Sequence, residues 1–159
     1  MDNWIGDCKI LVKEIIDKSF PLLRNQKIFT YESKHINFSA DTISLFFVSR
    51  IRISPRMRNA NVSELKGLLT HELGHIEFYK KRNFVQNQWA NFRCSLFKKY
   101  RELEEKNVDR LTIEKGYGKD LKANRIFREK FKDKSFEKLK GFYLTPEEIG
   151  EYMRKVKRK

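Results

Sequence analysis

Thr70-His71-Glu72-Leu73-Gly74-His75-Ile76 is the stretch on which the reading of this chain turns. It contains an H-E-x-x-H pattern, and Leu65, Leu68 and Leu69 before it give the segment the apolar spacing of an amphipathic helix. Positions four apart lie one above the other on a helix, so His71 and His75 can offer two imidazole nitrogens to one ion. Glu72, one residue on, can reach a water held by that ion without being a ligand itself. Zinc bound by imidazoles and a carboxylate keeps a position for water and lowers its pKa towards about 7. A carboxylate beside that water can take its proton and pass it to a leaving amine.

Working outward, Asn61 with Glu64 three positions later has capping-box spacing, with Ser63 as a rival cap. The helix should run to Tyr79 or Lys80. Asn83 to Gln88 reads as a break, and Trp89 to Lys115 as a second long helix ended by Gly116-Tyr117-Gly118. A third ligand is needed. Phe78 and Lys81 stand where a metzincin motif requires Gly and His, which excludes that subclass. The cysteines follow no zinc spacing, and His35 is an isolated, weaker candidate. The second helix carries Glu105-Lys106-Asn107-Val108-Asp109, with 29 residues between His75 and Glu105. Its two carboxylates share a helix face. Glu105 can ligate the metal, and Asp109 can accept the other N–H of a ligating imidazole, that of His71, fixing its tautomer.

Before the motif, Asn3 to Phe20 has a 3.6-residue apolar stripe ended by Pro21, a helix. Lys27 to Tyr31 reads as a strand and His35 to Phe38 as a weaker one. Ile43 to Ser54 reads as one β-branched and aromatic strand stopped by Pro55, and Arg56 to Ala60 as a basic loop. After Gly118 the chain is charged and helical in pattern. It breaks near Gly141 and restarts at Thr145-Pro146-Glu147-Glu148, a strong N-terminal signal. The class is α+β: a core over residues 1–118 and a basic helical extension over 119–159, in one compact domain.

With 159 residues, 40% apolar and 35% charged, the composition is that of a water-soluble globular domain. No apolar run approaches the ~18 residues of a membrane span. Met1-Asp2-Asn3-Trp4 lacks the basic-then-apolar order of a signal peptide. Cys8 and Cys94 belong to no C-x-x-C pair, and the expectation is a reducing, cytoplasmic setting. The net charge is +14, with seven basic and no acidic residues from Lys80 to Arg101 and 14 basic against seven acidic from Lys119 to Lys159. Such faces are most often solvated surface; nucleic acid is an alternative partner, not the favoured one.

His71-Glu72-Leu73-Gly74-His75 followed by Glu105-x-x-x-Asp109 and Gly116-Tyr117-Gly118 resembles the gluzincin class of zinc metallopeptidases. The likeness is greatest to the small single-domain minigluzincins and weaker to the anti-repressor peptidases of bacteria and phages, and it covers Ile43 to Gly118. The resemblance implies a small, twisted, mostly antiparallel sheet packed on an active-site helix and a second ligand helix. It also implies Zn2+ as cofactor, a peptide or protein substrate, and Glu72 as general base. One edge strand should line the cleft, by position Ile51-Arg52-Ile53-Ser54, with Arg52 and Pro55 to Arg58 at its border favouring acidic residues in a substrate. A C-terminal segment in the cleft is a further implication, and Phe142-Tyr143-Leu144 is the apolar piece suited to it, unless it simply packs the last helix. Tyr117, His35 and Arg125 are the candidate oxyanion stabilisers. The alternatives are a DNA-associated regulatory protein with a basic surface and a metal-stabilised scaffold without turnover.

Overall fold

The computed structural model describes residues 3–35, 38–45, 47–130 and 139–158. Helix α1 (Trp4–Ser19) follows its apolar stripe, burying Cys8, Val12, Ile15 and Ile16, and ends before Pro21. Strand β1 (Lys27–Glu32) starts where its β-branched and aromatic run starts. Of the weaker strand expected over His35 to Phe38, Ile36 and Asn37 lie outside the described residues, and His35 sits in a turn.

The single strand expected from Ile43 to Ser54 is instead a hairpin, β2 (Ala40–Leu45) and β3 (Val48–Ile53). Leu45 lies opposite Val48, so the chain reverses between them. The sequence stays apolar from Leu45 to Val48, and Phe47 is 81% exposed. The sheet order is β1-β3-β2. Strand β3 pairs parallel with β1 and antiparallel with β2, so the sheet is mixed rather than mostly antiparallel. The parallel pair arises because β3, not β2, docks beside β1.

Helix α2 (Val62–Lys81) starts with the capping box of Asn61 and Glu64, in which each side chain binds the other's backbone N–H. It lies between the sheet with α1 on one side and later helices on the other. Leu68, Leu69, Leu73 and Ile76 join Ile51, Ile53, Phe20 and Leu23 in the main core. Its other face is buried too, which requires small residues where neighbours come close. A Cβ at Gly67 would run into the backbone carbonyl of Asp120, and one at Gly74 would sit 2.9 Å from Val108 Cγ1. Leu-rich burial on one side and glycine contacts on the other make α2 the central rod of the fold.

The long helix expected over Trp89 to Lys115 is two, α3 (Phe84–Leu96) and α4 (Lys98–Thr112). Phe97, with φ −119° and ψ 107°, is extended and separates them. The expected break at Asn83 to Gln88 is the first turn of α3, capped by Asn83 and Gln86 in a second capping box. A π turn over Ile113–Tyr117 follows α4, with Gly116 at φ 95°, a conformation that residues with a Cβ rarely adopt. That kink sends α5 (Gly118–Lys130) back along α2. Residues 131–138 of the basic extension lie outside the described residues. The last helix, α6 (Pro146–Val156), begins with the expected capping box at Thr145 and Glu148. Its Ile149 packs with Leu144, Leu121 and Ile113 in a second, smaller core. Residues beyond Gly118 therefore share one packing with those before it.

Candidate metal centre

Helices α2 and α4 face each other at the C-terminal half of α2, where Gly74 lets Val108 approach. That contact brings Glu105 and Asp109, one turn apart on α4, opposite His71 and His75. His71 Nε2 lies 3.2 Å from His75 Nε2 and 3.2 Å from Glu105 Oε2, and His75 Nε2 lies 3.3 Å from the same oxygen. The imidazoles stand nearly perpendicular, at 84°. A tetrahedral ion with ligand bonds of about 2.0–2.1 Å separates its ligand atoms by roughly 3.3–3.4 Å. The three donor atoms already stand at that spacing, so His71, His75 and Glu105 could hold a metal ion. Ring nitrogens aimed at one another repel unless a proton or a cation lies between them, and the triangle fits a cation.

The surroundings prepare His71 as a donor. Its Nδ1 lies 2.8 Å from Asp109 Oδ1, an arrangement that puts the N–H on Nδ1 and leaves the Nε2 lone pair facing the cluster. Asp109 is fully buried and anchored by Arg125 Nη2 at 2.6 Å and by the Leu144 backbone N–H at 2.9 Å. Burial pushes the Asp109 carboxyl up, but Arg125 and the hydrogen bonds to His71 and Leu144 hold it below the usual range. Burial likewise opposes the charge on Glu105, yet the adjacent imidazoles bring it well below the carboxylate norm. Burial works against a charged His75, but the Glu105 and Glu72 carboxylates lift its pKa to about 9. A proton thus sits among these groups when no metal does.

Glu72 is 6% exposed and lines the cleft with both imidazoles, while its Oε2 accepts a 2.6 Å hydrogen bond from Thr42 Oγ1 on β2. The cleft has a volume of about 420 Å³. One wall is β2 from Asp41 to Ser44, and the other is α3 through Asn87, Ala90, Asn91 and Cys94. Arg82 and Glu104 close one end as a forked ion pair with contacts of 2.6 and 2.9 Å.

Several expected assignments change. Ile51, Arg52 and Ile53 do not line the cleft, because β3 is the central strand and has both edges paired. Ile51 and Ile53 are fully buried, and Arg52 Nε donates to Asp41 across the hairpin at 2.7 Å. Among the described residues β1 and β2 are the edge strands, and β2 is the one that lines the cleft. Arg58 pairs with Glu32 at 2.7 Å and also stays out of the cleft. Of the oxyanion candidates, Tyr117 turns its hydroxyl towards Ser19, 3.5 Å away; His35 is on the surface, and Arg125 lies buried beneath Asp109.

Tyr143 reaches the cleft instead. Its ring stands edge-on to His71 at 5.7 Å, with the Arg125 and Arg128 guanidiniums at 4.4 and 5.3 Å from its centre. Burial and the charge of Glu105 push its hydroxyl up to about 12, which keeps it a proton donor. Nothing local in the sequence marks Thr42 for its place, which the hairpin provides, whereas Tyr143 belongs to the Phe142-Tyr143-Leu144 segment expected at the cleft. Comparison with family models, with curated proteins and with solved structures found no match.

Proposed function

We propose that this chain is a zinc-dependent peptidase, an endopeptidase of zincin-like architecture as its motif resemblance implies. The observation that carries the reading is the convergence of His71, His75 and Glu105 at tetrahedral spacing beside Glu72, under a strand that is an edge of the sheet among the described residues. Two imidazoles and a carboxylate suit zinc, which when bound supplies Lewis acidity towards a carbonyl and an acidified water.

The chain's own groups supply the rest. The unpaired main-chain N–H and C=O groups of β2 extend the sheet to a peptide laid beside it. Thr42 holds the Glu72 carboxylate by one oxygen, leaving the other to take a proton from water and return it to the departing amine. Asp109 keeps the proton of His71 on Nδ1. Tyr143, which lines the cleft, is the residue assigned to donate to a developing oxyanion, a role typically worth about 3 kcal/mol of barrier.

Glu72→Gln is expected to keep its metal and to lose about 10²–10⁴-fold in peptide hydrolysis. Normal cleavage by that variant would remove the general-base assignment. Glu105→Ala should lose the metal, read by metal content after desalting. A latent scaffold is the second reading, favoured by the seating of Tyr143 against His71. Tyr143→Phe separates the two readings, since a donor's loss slows turnover while a plug survives the change.

A further inference from the structure

Helix α3 is built inside out. At roughly 100° per residue, Val85, Trp89, Phe92 and Leu96 fall within an arc of about 60°. The cleft-lining Asn87, Ala90, Asn91 and Cys94 occupy the opposite arc. The inward face is therefore small and polar, and the large apolar side chains point away from the fold. Val85 is 73% exposed, Trp89 58%, Phe92 51% and Leu96 58%. The Trp89 and Phe92 rings stack at 5.7 Å, making one continuous ridge. None of the four belongs to either core cluster of the described residues.

Along the chain the charge flanking it is basic. From Lys80 to Arg101 there are seven basic residues and no acidic one. Lys81 and Arg82 are engaged by Glu77 and Glu104 and Lys98 lies over the Phe142 ring at 5.7 Å, while Lys80 before α3 and Lys99 after it are exposed. An apolar ridge between basic ends is the pattern of a helix lying in the plane of a membrane surface, with lysines at the headgroups. We propose that the outer face of α3 docks this protein on anionic lipid bilayers. Nucleic acid would meet the charge but leave Val85 and Leu96 without an apolar contact. A second copy would cover the ridge but bring together two chains of net charge +14. An anionic bilayer answers both features, and the proposal does not rest on the peptidase reading.

The test is sedimentation of the full chain with vesicles of equimolar phosphatidylglycerol and phosphatidylcholine, against vesicles of phosphatidylcholine alone. Trp89 emission in a Trp4→Phe background reports insertion. Binding to the anionic vesicles, weakened by salt and accompanied by a blue shift, is the expected result. Replacing Val85, Trp89, Phe92 and Leu96 together by Ser should weaken partition at least ~10-fold, with charge unchanged and the melting curve retained. Val85→Ser and Leu96→Ser singly should give graded losses. Equal partition of wild type and the four-site variant would overturn the proposal, as would no binding to anionic vesicles at low salt. Ridge-dependent dimerisation, or preferential binding to DNA, without vesicle binding would overturn it too.

Discussion

Helices α2 and α3 are consecutive and start alike. Each begins with an Asn cap answered three residues on, by Glu64 in one and Gln86 in the other, through the same pair of hydrogen bonds. Their fates are opposite. Helix α2 is buried from Leu65 to Gly74 almost without interruption, while α3 buries only Asn87 and Ala90. Local capping chemistry fixes where a helix begins; what the helix offers its neighbours decides how deep it sits. Helix α2 offers leucines to the sheet and glycines to α4 and α5. Helix α3 offers asparagines to the cleft and keeps its bulk outside.

Changes around the buried α2 and on the exposed face of α3 should differ accordingly. The largest loss is expected for Asp109→Ala, which strips the partner from a buried Arg125 behind α2 and should cost about 3–5 kcal/mol in denaturant unfolding. The pH dependence of the metal-free protein should come next. His75 has a raised folded-state pKa, so it contributes stability that is complete below about 6.5 and lost as pH rises through about 9. The decline is at most ~1.4 kcal/mol per pH unit for one proton. Zinc should flatten that decline, because a ligating imidazole is neutral and carries no proton on its ligating nitrogen, and calorimetry in buffers of different ionisation enthalpy should show proton release on binding. Gly67→Ala, forcing α5 away from α2, should cost about 1–3 kcal/mol. Trp89→Ser on α3 should change stability by no more than about 0.5 kcal/mol. A large loss from Trp89→Ser would show that the ridge is covered in the folded protein and would break the contrast.

Legibility in the sequence followed the range of the interaction. The ligand spacing on α2, the carboxylate spacing on α4 and the caps at Asn61 and Thr145 are repeats of three or four residues, readable in one turn of helix. The cap at Asn83 carried the same signal in Gln86, but it was hidden inside an apparent break. The hairpin could not be seen because no Gly, Asn or Asp marks the reversal between Leu45 and Val48. Strand order depends on which strand docks beside β1, a non-local choice, and the wall of the cleft moved from Ile51, Arg52 and Ile53 to β2 for that reason. Arg125 was visible as a cation, but its partner Asp109 lies sixteen positions away on another helix.

Asp109 joins three separate parts of the chain, holding an imidazole from α2, a guanidinium from α5 and the main-chain amide of Leu144. Whatever draws electron density out of that imidazole draws on the same carboxylate that tethers residue 144. Filling of the centre should therefore be legible from behind, as a change in hydrogen–deuterium exchange at an amide that touches no ligand atom.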